Sequence, residues 1–156
     1  IKILMIKINV IVKDKNWFKF IKNPEAYLSR KIKKIQTDKF FGKRKYQFSL
    51  LLSEAKEIKY LNKKFRKKNK TTDILSFPSQ NKKDLKMLSK FNLEIYLGDI
   101  IINFKKMNTS SKILFKRQFD ILWIHGLVHL FGHDHIKDTN YKKMAAIEMK
   151  FLKKLN

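Results

Sequence analysis

Four apolar, β-branched stretches set among segments of helical periodicity constrain this chain more than any other feature. In the first, Ile6, Ile8, Val10 and Val12 recur at every second position, the period of a half-buried strand. Tyr46 to Leu52 reads as a second strand, Ile74 to Pro78 as a short third one stopped by proline, and Ile95 to Asn103 as a fourth, broken only at Gly98-Asp99. Between them the period changes. Asn23-Pro24-Glu25 is a helix start with a capping amide, a proline suited to the first turn and an acid near the positive end of the helix dipole, and Leu28, Ile32 and Ile35 then mark one face. Ser53, Glu54 and Glu57 open a second helix whose apolar positions include Ile58, Leu61 and Phe65, and which dissolves into the basic run Arg66 to Lys70. Ser79 to Lys90 is polar and lysine-rich, an exposed connection or a short surface helix. From Ser110 a helical pattern runs through Phe119, Leu122, Trp123, Leu127 and Leu130, stops at Gly132, and resumes from about Asp138 to Leu155. Strands and helices mix without a strict βαβ alternation, so the expectation is an α+β fold: a single domain over residues 1–156, with a small mixed β-sheet covered by helices.

A chain of 156 residues can bury one sizeable core, and a hydrophobic fraction of 44% supplies it. Cysteine is absent, which excludes disulfides, thiolate metal sites and cysteine nucleophiles and points to a reducing, cytoplasmic setting. The opening run Ile1 to Val12 is short and interrupted by Lys2, Lys7 and Asn9, so it is read as a strand rather than a leader or a membrane span. No other stretch approaches transmembrane length, so the chain is expected to be soluble or at most peripheral. Its charge leaves RNA, DNA or an anionic membrane surface as candidate partners, of which RNA, and no membrane, is the expected one. Against 13 acidic residues stand 37 Lys+Arg, a formal net charge of +24, which attracts polyanions and releases counterions when phosphates are neutralised. An AT-rich genome would account for much of the lysine; it does not readily account for the scarcity of acids.

All four histidines lie in Ile124-His125-Gly126-Leu127-Val128-His129-Leu130-Phe131-Gly132-His133-Asp134-His135. His125 and His129, four apart, share one face of a helix with Cβ atoms about 5–6 Å apart, close enough for both imidazoles to reach one ion. Gly132 can take the left-handed conformation that ends a helix and turn the chain so that His135 approaches the same ion from a third direction. Three imidazoles with an open fourth position form a catalytic rather than a structural metal site. His133 is read as a wall of that site, and Asp134 either as a group orienting a ligand imidazole or as a cap of the turn.

In zincin proteases the residue after the first histidine is the glutamate that deprotonates the attacking water. Here that position is Gly126, which argues against peptide hydrolysis; a peptidase would need its carboxylate from elsewhere, Glu148 being the nearest downstream candidate. Phosphodiester cleavage asks instead for a Lewis acid, a cation on the scissile phosphate and an entry route for RNA.

The pattern His-Gly-x-x-His-x-x-Gly-x-Asp-His resembles the signature of the YbeY family of bacterial endoribonucleases. Leu61-Asn62 with Arg66, then Thr72-Asp73-Ile74-Leu75-Ser76-Phe77-Pro78, and Leu97-Gly98-Asp99-Ile100-Ile101-Ile102, resemble its other motifs and follow the family order; Thr71 stands where that family usually has proline. The resemblance implies a metal-dependent, single-strand-specific endoribonuclease acting in ribosomal RNA maturation, at the 3′ end of the small-subunit RNA, and in ribosome quality control. It implies His125, His129 and His135 as ligands of one divalent metal ion, zinc being the expected one, and Arg66 as the functional arginine that binds substrate and takes part in catalysis. Single-stranded RNA, ribosomal RNA and the ribosome or small-subunit precursors are the implied partners. Chemistry agrees about Arg66, since a guanidinium grips phosphate oxygens bidentately where lysines act as point charges. Ser76, Asp73 and Asp99 could face such a site or serve turns and buried hydrogen bonds; Phe18, Phe40, Phe41 and Tyr46 are left unassigned. The competing readings are an RNA-binding ribosome-assembly factor whose metal only holds the fold, and a zincin-like metallopeptidase.

Overall fold

The computed structural model describes residues 5–91 and 94–156. Its centre is a four-stranded sheet of β1 (Ile6–Val12), β2 (Tyr46–Ser53), β3 (Ile74–Pro78) and β4 (Ile95–Asn103) in the order β1-β2-β4-β3. β1 pairs parallel to β2 and β2 parallel to β4, whereas β3 runs antiparallel along the edge of β4. The sheet is mixed, as expected. The Gly98-Asp99 break proves to be a register shift opposite Gln47 and Phe48 within a continuous β4. Of the apolar opening run, Ile1 to Leu4 lie outside the described residues.

Five helices clothe the sheet: α1 (Pro24–Ile35), α2 (Ala55–Arg66), α3 (Lys82–Leu88), α4 (Lys112–Leu130) and α5 (Asp138–Leu155). Local chemistry sets most of their starts. Asn23 accepts from the Ala26 amide, Asn81 from Asp84 and Ser111 from Leu114, each satisfying an N–H that has no partner inside the helix. The Asn81 cap resolves Ser79 to Lys90 into a short surface helix. Ser53 does not cap α2: it ends β2, its hydroxyl donates to Glu57 at 2.6 Å, and Glu54 occupies the cap position without a side-chain bond. A serine-to-glutamate spacing can thus mark a strand end as well as a helix start.

The two faces of the sheet are unequal. On one, α1, α4 and α5 enclose the main core, in which Leu50, Leu52, Ile100, Ile102, Leu127 and Val128 are fully buried. Burying each such side chain contributes about 1.5–3 kcal/mol. Trp17 closes one end of this core against Phe104, Phe115 and Phe119 and donates its indole N–H to the Ser53 carbonyl. Phe41 stacks on Phe151 at the other end. On the opposite face α2 covers a smaller cluster of Ile58, Leu75 and Ile101. Among the described residues no helix is long and apolar enough to cross a membrane.

Candidate metal centre

Helix α4 carries the first two histidines along the sheet. Its register is fixed by Gly126: a Cβ there would sit 2.9 Å from two carbons of Ile100 on β4, so helix and strand approach through the missing side chain. Any side chain at 126, the glutamate of the zincin pattern included, would have to displace Ile100. Leu127, Val128 and Leu130 are buried, which leaves His125 and His129 half-buried on the outward side one turn apart.

The helix ends at Leu130 with Phe131 as its cap, and Gly132, with φ of 89°, donates to the His129 carbonyl at 2.9 Å and reverses the chain. That reversal returns His135 to the other two. One ring nitrogen from each of His125, His129 and His135 lies within 4.8 Å of the others, and the ring centroids are 4.6, 5.2 and 5.7 Å apart.

Hydrogen bonds decide which nitrogens face the common point. Nδ1 of His129 lies 2.8 Å from the His133 carbonyl, which can only accept, so Nδ1 carries the proton and Nε2 is left with its lone pair free. Nδ1 of His125 lies 2.5 Å from Oε1 of Glu148 on α5, the carboxylate–histidine pairing that orients metal ligands. Glu148 is therefore occupied in holding an imidazole and is not free as the base of a peptidase. Burial, aided by the neighbouring His125, lowers the proton affinity of His129 below that of an ordinary imidazole, so it is neutral at pH 7, the form that ligates. The donor set fits a divalent ion: two imidazoles with their tautomers fixed, and a third on an exposed turn. In a tetrahedral site, metal–nitrogen distances of about 2.0–2.1 Å set ligand atoms about 3.4 Å apart, so the trio would draw in by up to about 1.4 Å around an ion.

His133 differs from expectation. Its ring is turned from the cluster to Phe40, 5.7 Å between centroids, and only its carbonyl serves the site. Burial and the nearby Lys82 lower its proton affinity too. Asp134 caps the turn, accepting from the Ile136 amide and the Asn140 side chain, both at 3.3 Å.

A cleft of about 510 Å³ opens over the histidines, of a size that takes small ligands. Arg66, at the end of α2, and Lys68 line its other side with Thr72, Asp73 and Ser76, so the arginine singled out in the sequence shares one cavity with the imidazoles. Two buried asparagines shape this basic side. Asn62 donates to the Lys70 carbonyl at 2.8 Å, and Asn103 donates to Thr71 Oγ1 and the Thr72 carbonyl. Between them Lys67 turns the chain in the left-handed region, φ 55°, where lysine is uncommon. Asp99 lies on the other face of the sheet, bonded to the Tyr96 hydroxyl, which also reaches Ser49. Phe41 and Tyr46 are core residues and Phe40 packs against the same cluster, so none is presented for base stacking; Phe18 is exposed but does not line the cleft.

Comparison with known proteins agrees with this geometry. The model of the family described as "Endoribonuclease YbeY" matches residues 12–156. A protein of that name from Pelagibacter ubique is 44% identical over 156 residues, covering 96% of this chain and 97% of its own. Another, from Ehrlichia canis, is 32% identical over 154 residues, covering 97% and 93%. The solution structure of a Thermotoga maritima protein shares the fold, with a TM-score of 0.56 at 24% identity over 95% of this chain and 88% of that one.

Proposed function

The chain belongs to the YbeY family of endoribonucleases, and on that premise we propose that it cuts single-stranded RNA in the cleft between Arg66 and the three histidines. The observation that carries this reading is the convergence of three imidazoles and one unpaired guanidinium on a single cavity in a chain of net charge +24. His125, His129 and His135 would hold one divalent ion, zinc by preference, which supplies Lewis-acid polarisation of a phosphoryl oxygen when bound. The chain's own groups do the rest. Arg66 has no carboxylate partner among the described residues and is free to grip the phosphate bidentately as its charge builds. Glu148 and the His133 carbonyl hold the two helical imidazoles in the ligating tautomer. Asn62 and Asn103 keep the basic loop in place beside them.

The substrate we favour is ribosomal RNA, with maturation of the small-subunit 3′ end and ribosome quality control as the setting and the cytoplasm as the place. The decisive experiment pairs elemental analysis of purified protein with cleavage of matched single- and double-stranded RNAs. His129→Ala should lose bound metal and cleavage together while keeping the fold. Full nuclease activity in that variant, freed of metal, would overturn the assignment.

A further inference from the structure

A second basic cleft, of about 600 Å³, opens away from the histidines between α1, the first half of α4 and the end of α5. Arg30, Lys31 and Lys34 enter it from α1, and Lys116 and Arg117 from α4. Its one acidic lining residue, Asp120, is already engaged: it accepts from the Tyr27 hydroxyl at 3.0 Å and the Trp123 indole at 2.9 Å, and pairs with Lys31 at 3.2 Å. The other four cations have no carboxylate partner among the described residues. Arg30, Lys31 and Lys116 crowd within 5.3–5.9 Å of the Tyr27 ring centroid. At exposed sites each cation–π contact contributes only about 0.5–1 kcal/mol, so a bound anion would relieve the cluster.

Residue choice sharpens the point. The chain uses lysine for nearly all of its positive charge and has four arginines, Arg30, Arg44, Arg66 and Arg117. Arg66 lines the histidine cleft, and Arg30 and Arg117 line this one. Guanidinium, with its planar fork, is the side chain suited to phosphate oxygens. Placement supplies the link between the clefts. Ile113, Arg117, Ile121, His125 and His129 follow one another at four-residue spacing along the solvent-facing ridge of α4, while Phe115, Phe119, Leu122 and Trp123 face the core. From Arg117 to His125 this ridge runs roughly 12 Å at the helical rise of about 1.5 Å per residue.

We propose that the cleft of Arg30 and Arg117 is a second phosphodiester-binding site, which holds the RNA backbone a few nucleotides away from the bond presented to the histidines. The nature of the ligand rests on the nuclease reading; the anion-binding character rests on the cleft alone.

The test is the double variant Arg30→Gln/Arg117→Gln in the full chain, with Lys43→Gln/Lys90→Gln as a control that removes equal charge from exposed positions elsewhere. Binding of single-stranded oligoribonucleotides of about 4 and about 16 nucleotides, a range that spans known single-strand site sizes, is measured against salt concentration. For the long RNA the affinity of the arginine variant should fall roughly tenfold at low salt, and the slope of log affinity against log salt should drop by about 1.4, two phosphate contacts at about 0.7 each. For the short RNA, affinity and cleavage should match the parent. A loss no larger than that of the control, a loss independent of RNA length, or no loss at all overturns the proposal. Because binding is read separately from cleavage, a protein inert toward RNA bonds that still shows the length-selective loss would sink the nuclease reading and leave this one standing.

Discussion

Replacing Glu148 with alanine should weaken divalent-metal binding about 10- to 100-fold, the usual effect of removing the partner of a ligating histidine, which corresponds to about 1.4–2.7 kcal/mol. The structure indicates the lower part of that range. The bond to His125 Nδ1 is short, 2.5 Å, but the two side chains are 28% and 22% exposed, so solvent screens the charge in part. What the carboxylate supplies is chiefly direction: it keeps the proton on Nδ1 and the Nε2 lone pair toward the cluster. Glu148→Gln, whose amide oxygen still accepts from Nδ1, should therefore lose clearly less than Glu148→Ala. Competition titration of metal-free protein against a colorimetric chelator measures both, with the thermal midpoint of the metal-free forms as a control for folding. An alanine variant that binds as tightly as the parent, or a glutamine variant as weak as the alanine one, would refute the orienting role.

Gly126→Ala should cost about 1–3 kcal/mol, because the added methyl overpacks against Ile100; at about 2–4 °C per kcal/mol for a chain of this size, the melting midpoint falls by roughly 2–12 °C. Asn62→Ala should cost about 0.5–1.5 kcal/mol by removing the part-buried bond to the Lys70 carbonyl, and should reduce RNA cleavage at unchanged metal content as the loop beside Arg66 loosens. Asp38 supplies a pH test. Burial alone would raise its pKa, but bonds from Lys154, the Phe40 amide and Lys150 outweigh it and hold the carboxyl well below the usual range. Its stabilisation is therefore present above the ordinary carboxylate pKa of about 4 and is lost as pH falls further. Asp38→Asn should be less stable than the parent to urea at neutral pH, with the gap narrowing in acid; a gap that widens there would contradict the sign.

Local signals made much of this fold legible. Periodicity located β3, β4 and α5 at their observed limits, because one face of each is apolar and their ends carry proline, asparagine or an acid. The histidine trio was legible for a similar reason: a four-residue spacing and a glycine stop are local geometry. Strand order was not, since nothing in Ile74 to Pro78 says that it runs antiparallel at the edge of β4 while its neighbours are parallel. The sequence offers Glu148 only as the carboxylate that a peptidase would have to borrow; its pairing with His125, 23 positions away, appears only when α5 folds back on α4. Asn103 ends β4 as its sequence position indicates, but nothing local shows that its buried side chain ties β4 to the loop before β3. His133 was misplaced because a turn after Gly132 can point a ring either way, and the aromatic neighbour that claims it, Phe40, is remote in sequence.

All three imidazoles issue from one stretch of eleven residues, so an ion gathered there bridges chain segments that are already covalent near-neighbours. The entropy removed by tying a loop grows with its length, and these loops are among the shortest a metal can close. Such an ion pins down very little of the polypeptide. The whole sheet lies upstream of His125, so stripping such an ion should leave the polypeptide folded and the site ready to take up or exchange its metal.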